Sequence, residues 1–218
     1  MDWEALRLSL LLAFATGLVL IPAGVMVARG LAYADFRGKS LVEAAIAIPL
    51  VLPPTVLGYY LLTAMGGASP LGAFYERMTG SPLAFSFEGL LVGSLIFNLP
   101  FALIPMERAF ESIPVEVRQA AECCGLSRHR TMWRIELPLA WPGIVSALVM
   151  TIAHTVGEFG VVLMVGGNIP GETRTIAISI YDRVQAFDMG SAGAMSAFLL
   201  VFSLVTLALT SRLSRRVW

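Results

Sequence analysis

Long apolar runs alternate with short polar segments along the chain. A helix needs about 20 apolar residues to cross the hydrocarbon core of a bilayer, and five of the runs reach that length. They cover residues 6–28, 41–65, 89–110, 139–165 and 192–213. The pattern therefore predicts an all-α, polytopic membrane protein with five transmembrane helices, organised as a single domain over residues 1–218 and surrounded by the lipid bilayer.

Composition and charge placement predict the setting and the orientation. Hydrophobic residues make up 57% of the chain and charged residues 14%, which excludes an ordinary soluble domain. Lys and Arg stay on the cytoplasmic side of membrane proteins. If segment 111–138 is cytoplasmic, eleven of the 15 basic residues fall inside: Arg29, Arg37, Lys39, Arg108, Arg118, Arg128, Arg130, Arg134, Arg212, Arg215 and Arg216. The four outside are Arg7, Arg77, Arg174 and Arg183. We predict a multi-pass protein of the cell (inner) membrane, with its amino terminus outside and its carboxyl terminus in the cytoplasm.

Segment 111–138 is the longest polar interruption, and it carries a spaced motif. The motif consists of Gln119-Ala120-Ala121, three residues, Gly125, nine residues, Ile135, one residue and Leu137-Pro138. Gly125 can take the left-handed conformation that ends a helix, and Ser127 can cap the next helix. Pro138 can begin a new membrane segment, where its missing N–H costs nothing. The plainer alternative is an amphipathic surface helix between two spans.

This spacing resembles the EAA loop of ABC importer permeases. In that family the loop is a cytoplasmic helix-turn-helix that docks into a cleft of the ATPase subunit. The resemblance implies that the ATPase-coupling residues are Glu116, Gln119, Ala120, Ala121, Gly125, Ile135, Leu137 and Pro138. Gln119 departs from the glutamate that is usual in the family, so an ion pair normally made there loses its charge.

The second and third apolar runs contain residues that break helices. Pro53 and Pro54 interrupt the second run, and proline removes a helical hydrogen bond. In lipid such a break persists only where protein or water satisfies the freed carbonyls, so we expect this segment to face the pore; a kink that only improves packing is the alternative. Asn98 interrupts the third run. Its amide is more often an interhelical hydrogen-bond partner than a substrate ligand.

The fourth run contains two ionisable residues, His154 and Glu158, which are four residues apart and are expected on one helical face. Ionisable groups at membrane depth face a partner or a cavity, so a structural ion pair and a role at the pore both stay open. Neutral hydroxyls and amides could carry an anion without holding it tightly. The candidate translocation path comprises Pro53, Pro54, Thr55, Tyr59, Asn98, Thr151, His154, Thr155 and Glu158.

After the fourth run, Asn168, Pro170 and Gly171 predict a tight turn, and residues 172–187 predict a helix that re-enters or lies at the outer surface. Segments 153–175 and 50–62 resemble the molybdate-type permease subunit of ABC importers, and the likeness covers nearly the whole chain. Sulfate and tungstate permeases share part of it, so a sulfate/thiosulfate-type permease is the alternative. His154 stands where such permeases commonly have arginine.

The resemblance implies a homodimer, two ATP-binding subunits and an extracytoplasmic oxyanion-binding protein, with ATP and magnesium bound by the partner ATPase and no cofactor or metal on this chain. The residues agree that the chain is no ATPase: Gly38-Lys39-Ser40 imitates a phosphate-binding loop, but Tyr33 stands where that loop needs glycine. A membrane-embedded enzyme is disfavoured because only His129 and His154 are present. A passive anion channel remains a further alternative. No nucleic-acid partner is expected.

Overall fold

A computed structural model describes the backbone of residues 1–215 and the side chains of residues 1–208. Regular structure in this part of the chain is helical throughout, as predicted. The helices are α1 (Trp3–Tyr33), α2 (Lys39–Val51), α3 (Pro54–Met65), α4 (Pro70–Thr79), α5 (Phe87–Phe97), α6 (Leu99–Glu111), α7 (Val115–Cys123), α8 (Arg128–Thr131), a π-helical turn (Met132–Glu136), α9 (Leu137–Gly157), α10 (Gly160–Gly166), α11 (Ile176–Gln185) and α12 (Met189–Arg215). Of the basic residues predicted inside, Arg216 lies outside the described residues, as do the side chains of Arg212 and Arg215.

Three helical segments are long and apolar enough to cross a membrane: Trp3–Tyr33, Arg128–Gly157 and Met189–Ala208. Two further candidates are bent pairs, α2 with α3 at 110° and α5 with α6 at 41°. Counting each bent pair as one span gives up to five spans within the described chain. The number of five spans therefore stays a prediction.

The predicted break in the second run is confirmed, and it lies at Leu52 and Pro53. Both residues are extended, with ψ of 136° and 135°. Pro53 favours an extended residue before it, because its ring clashes with a preceding helical backbone. Asn98 between α5 and α6 keeps a right-handed helical conformation, with φ of −91° and ψ of −4°. The third run is accordingly bent much less than the second.

The fourth run is not one helix over 139–165, and this prediction was wrong at both ends. The helix begins earlier, because α8, the π-helical turn and α9 are continuous from Arg128 to Gly157. Pro138 therefore lies inside a longer helix and does not begin one. At the other end Glu158 is extended, with ψ of 133°, and separates α9 from α10. Residues 172–187 also differ from the prediction, because α11 begins only at Ile176 and ends at Gln185.

The core lies where α1, α6 and α9 pack against one another. Its buried members include Leu20, Ala28, Leu103, Met106, Phe110 and Ile144. Close packing of α6 on α9 depends on Gly143, because a Cβ there would lie 2.3 Å from the Cβ of Ala109. A second apolar cluster joins α3, α5 and α10. We call the end of the bundle that carries α7 and α8 the α7–α8 end, and the end that carries the start of α1 and α11 the opposite end.

Candidate functional site

Three helix interruptions lie close together in the bundle. The start of α10 touches the α2–α3 corner, because a Cβ on Gly160 would lie 2.7 Å from the Cβ of Pro54. The interruption at Asn98 contacts α9, where His154 Nδ1 lies 3.1 Å from Asn98 Oδ1. His154 Nε2 in turn lies 3.9 Å from Glu158 Oε2, at the interruption after α9. Broken helices that meet at membrane depth are typical of transporter substrate pathways.

Asn98 is the centre of a buried hydrogen-bond network. Its Nδ2 donates to the carbonyl oxygen of Ser94 at 2.9 Å and to Thr155 Oγ1 at 2.9 Å. The Ser94 hydroxyl accepts a hydrogen bond of 2.7 Å from Thr16 on α1. Since Asn98 uses Nδ2 as the donor, its Oδ1 is the acceptor, and Nδ1 of His154 carries the proton in this arrangement. The network connects α1, α5 and α9 inside the single chain.

The predicted path residues fall into two groups. Pro53, Pro54, Thr55 and Tyr59 are exposed on the α2–α3 corner. Three others are buried inside the chain: Asn98, Thr151 and Thr155. The structure thus brings Asn98 and Thr155 together as partners within one subunit, which agrees with the structural interpretation of Asn98. His154 and Glu158 lie between the two groups, with side chains that are 32% and 10% exposed.

His154 and Glu158 do not share one continuous helical face, contrary to the prediction, because Glu158 is no longer helical. Glu158 Oε1 instead accepts a hydrogen bond of 2.9 Å from the backbone N–H of Val161, in the first turn of α10. The imidazole of His154 stacks on Phe101, with ring centroids 3.9 Å apart. Asn98 is therefore a closer polar partner of His154 than Glu158 is.

Segment 111–138 folds as a helix, a turn and a helix. Gly125 ends α7 with φ of +75°, the left-handed conformation that was predicted for it. Ser127 caps α8, and its Oγ accepts from the backbone N–H of Arg130 at 3.4 Å. Cys123 and Cys124 are free and exposed beside the turn. Among the described side chains, no three His, Cys, Asp or Glu residues are grouped so that they could hold a metal ion.

The motif residues present different surfaces. Glu116, Gln119 and Ala120 are exposed on α7, whereas Ala121 is only 4% exposed and packs toward its own chain. Ala121, which the resemblance assigns to the coupling residues, therefore contacts its own chain and is not available for close approach of a partner surface. The later motif residues are half-buried or exposed: Ile135, Leu137 and Pro138.

A cluster that the sequence reading missed connects α7 to the rest of the chain. The Glu136 carboxylate, 1% exposed, is bonded by the guanidinium of Arg29, and Arg29 Nη2 donates to Oε1 at 3.3 Å. Arg118 Nε lies 3.3 Å from the same oxygen. The guanidinium carbon of Arg118 lies 3.7 Å from the ring centroid of Tyr33, whose hydroxyl donates to the Phe110 carbonyl at 3.2 Å. We call Arg29, Tyr33, Arg118 and Glu136 the arginine–glutamate cluster.

One signal of this cluster was present in the sequence. Glu136 is an acid placed between Ile135 and Leu137 at the entry to an apolar run, and a buried carboxylate requires a cationic partner. The identity of the partners could not be read, because Arg29 is 107 residues away along the chain.

At the opposite end, residues of the predicted turn form a small polar cluster. Arg174 Nε donates to Asn168 Oδ1 at 2.6 Å, and Asn168 Nδ2 donates to Asp182 on α11 at 2.8 Å. Gly171 has φ of +78°, which the turn requires.

Asp2 connects this end to the first helix, because it caps α1 and accepts from the Ser179 hydroxyl at 2.7 Å. Burial would raise the pKa of the Asp2 carboxyl, but the hydrogen bonds from Ala5 and Ser179 and the nearby arginines outweigh it and lower that pKa below its ordinary value.

Comparison with solved structures identifies the fold. A bacterial ABC transporter involved in the import of the acidic polysaccharide alginate gives a TM-score of 0.77 at 20% identity, covering 98% of this chain and 78% of that chain. The MetNI methionine ABC transporter in an inward-facing conformation gives 0.70 at 18% identity, covering 100% and 94%. At these identities the likeness shows a shared fold.

Comparison with characterised sequences identifies the family. The molybdenum transport system permease protein ModB of Azotobacter vinelandii is 43% identical over 206 residues, which cover 94% of this chain and 91% of that protein. ModB of Haemophilus influenzae is 36% identical over 218 residues, with coverage of 100% and 95%. The sulfate transport system permease protein CysT of Synechocystis sp. is 29% identical, with coverage of 93% and 71%. Residues 20–218 match the family described as binding-protein-dependent transport system inner membrane component, and the chain belongs to that family.

Proposed function

We propose that this chain is the permease subunit of an ABC importer that moves molybdate into the cytoplasm. The observation that carries the proposal is the exposed helix-turn-helix at the α7–α8 end, with Gln119 and Ala120 on its surface and Gly125 left-handed at its turn. The ModB relatives support molybdate as the substrate, and the sulfate permeases are more distant. The chain is a membrane component and not the ATPase.

Coupling uses the exposed surface of α7. Two ATP-binding subunits hold ATP and magnesium, and each receives α7 of one permease copy in a cleft; this chain binds no cofactor. Closure of the ATPase pair moves α7, and the continuous helix Arg128–Gly157 carries that movement into the membrane. Because α8, the π-helical turn and α9 are unbroken, the turn at Gly125 is the break between α7 and this helix.

The transport pathway runs between two copies of the chain. The exposed α2–α3 corner supports this arrangement, because α2 buries none of its residues within the single chain and Val51 is 83% exposed. A second copy covers this face and places Thr55 and Tyr59 along the path, next to Glu158 and His154. The buried amide of Asn98 holds the imidazole of His154 in position through the contact between Oδ1 and Nδ1.

The α7–α8 end is cytoplasmic, and the opposite end receives an extracytoplasmic oxyanion-binding protein. Eleven of the 15 basic residues lie on the cytoplasmic side in this orientation, which agrees with the retention of positive charge there. The path offers neutral donors beside the carboxylate of Glu158, which repels anions when it is ionised, so it does not bind a dianion tightly. Selectivity then resides mainly in the binding protein.

The test is uptake by the complex reconstituted with its ATPase and binding protein, with labelled molybdate, tungstate and sulfate in competition. We expect ATP-dependent molybdate uptake that excess sulfate leaves unchanged. Uptake that continues without ATPase subunits would indicate a passive channel. Sulfate uptake undiminished by excess molybdate would refute the substrate assignment.

A further inference from the structure

Among the described contacts, the arginine–glutamate cluster is the only place where charged groups connect α7 to α1. Glu136 belongs to the π-helical turn, Arg118 to α7, and Arg29 and Tyr33 to the last turns of α1. The hydroxyl of Tyr33 also holds the carbonyl of Phe110 at the end of α6. The π-helical turn, α7, α1 and α6 therefore meet at the carboxylate of Glu136 and the ring of Tyr33.

The contacts restrict the position of α7 in two directions. The ion pair at 3.3 Å sets the distance between Arg118 and Glu136, and the ring of Tyr33 covers the face of the Arg118 guanidinium at 3.7 Å. A planar guanidinium that is both paired and stacked has little freedom to turn. Glu136 is almost fully buried, so its interaction with the arginines is weakly screened by water.

Arg118 adjoins Gln119, the exposed residue of the docking surface, but it lies on a different face of α7. Its side chain is 32% exposed and turned toward its own chain, whereas Gln119 is exposed to a partner. Force applied to the outer face of α7 therefore reaches Glu136 through Arg118, and from there α1 through Arg29.

We infer that Arg118, Glu136 and Arg29 are positioning residues that make α7, α1 and the helix Arg128–Gly157 move as one body when the ATPase closes. This inference rests on the proposed function. It assigns the transmission of movement to the buried carboxylate of Glu136, which lies outside the docking surface. The loop itself contains only a short helix and a glycine turn.

The experiment compares Arg118→Gln, Glu136→Gln and the double variant in the reconstituted complex with its ATPase and binding protein. Lys39→Gln is the matched control, because it removes a cation from the same end of the molecule in a pair with Glu111 that does not involve α7. The readout is the amount of molybdate taken up per ATP hydrolysed. A role in stability alone would change the amount of complex recovered and leave this ratio unaltered.

We expect uptake per ATP to fall at least about fivefold in each single variant, the lower end of typical coupling between sites. The double variant should lose no more than Glu136→Gln alone, because Arg118 acts through Glu136. Arg118→Lys should recover part of the ratio, since it keeps the charge but not the planar contact with Tyr33. Lys39→Gln should match the unsubstituted protein.

An unchanged uptake per ATP in Arg118→Gln would overturn the inference, and so would an additive loss in the double variant. Loss of bound ATPase from Arg118→Gln complexes would also overturn it, because Arg118 would then be a docking residue. Arg118→Gln keeps the inference testable if Glu136→Gln fails to fold, because Arg29 still pairs with Glu136 in that variant. Failure of the proposed function is distinguishable, since the unsubstituted chain would then bind no ATPase or take up no molybdate.

Discussion

The carboxylate of Glu158 accepts a hydrogen bond of 2.9 Å from the backbone N–H of Val161. This contact explains how an apolar run stops being a helix at an acidic residue. Glu158 leaves the helical conformation, and its side chain then satisfies an amide at the start of α10 that has no partner within that helix.

The first prediction separates the capping role of Glu158 from its charge. Glu158→Gln should retain uptake and thermal stability, because an amide oxygen can accept the same hydrogen bond. Glu158→Ala should lose about 1 kcal/mol of stability, the usual effect of removing a cap. Thermal unfolding of the purified protein gives the comparison. Equal destabilisation by Gln and Ala would show that the negative charge, and not the cap, is what the structure needs.

The second prediction concerns the turn at Gly125. Gly125→Val should uncouple ATP hydrolysis from uptake while membrane insertion is retained, because φ of +75° costs a β-branched residue roughly 1–2 kcal/mol. No atom lies within 4 Å of a Cβ built there, so the effect is conformational and not a clash. Gly125→Asn is the control, since asparagine tolerates this conformation. The measurement is uptake per ATP hydrolysed by the reconstituted complex, and a normal ratio in Gly125→Val would contradict the role of the turn.

The third prediction concerns the unusual residue of the motif. Gln119→Glu should be tolerated, because Gln119 is exposed and glutamate has the same length. We expect uptake within about twofold of the unsubstituted protein, as for surface changes that cost less than 0.5 kcal/mol. The assay is ATP-dependent molybdate uptake, and a loss of several fold would mean that the partner cleft here rejects a negative charge.

The fourth prediction concerns orientation and uses the exposed cysteines of the loop. A membrane-impermeant maleimide should not label Cys123 or Cys124 in intact cells, and should label them after permeabilisation in cells that lack the ATPase. A cysteine introduced at Glu172, in a background with both native cysteines replaced by serine, should be labelled from outside. The reverse pattern would invert the proposed orientation.

The fifth prediction concerns packing of α6 on α9. Gly143→Ala should destabilise the protein by about 1–3 kcal/mol, because the added methyl group would lie 2.3 Å from Ala109 Cβ and 2.8 Å from the Pro105 carbonyl oxygen. Gly193→Ala on α12 is the control, since no neighbour lies within 4 Å of a Cβ there. Similar unfolding midpoints for the two variants would show that the helices separate at little cost.

Residue chemistry that acts locally could be predicted from the sequence. The prolines placed the break of the second run correctly, since a proline restricts itself and the residue before it whatever surrounds them. Gly125 was predicted left-handed for the same reason, because only glycine enters that region at little steric cost.

Contacts between distant segments could not be predicted. Glu158 was expected to stay helical on the same face as His154, but the chain breaks there, and Gly160 after the break lies against Pro54 of the α2–α3 corner. The partners of Glu136 come from α1 and α7, and periodicity carries no information about such pairs. Ala121 likewise has the small size of a contact residue, but burial within its own chain depends on how α7 lies on the bundle.

The π-helical turn at Met132–Glu136 has a consequence for the angular setting of the loop. Leu137 N–H bonds the carbonyl of Met132, five residues back, so this turn holds one residue more than an α-helical turn. Each residue of an α-helix advances the azimuth by about 100°. A residue added to or deleted from a plain α-helix would therefore turn everything beyond it by about that angle. The π-helical turn takes up its additional residue by widening, so a single-residue deletion that restores an α-helical turn here would leave α8 facing nearly the same direction relative to the span. One residue can thus be gained or lost at this point without reorienting the docking face.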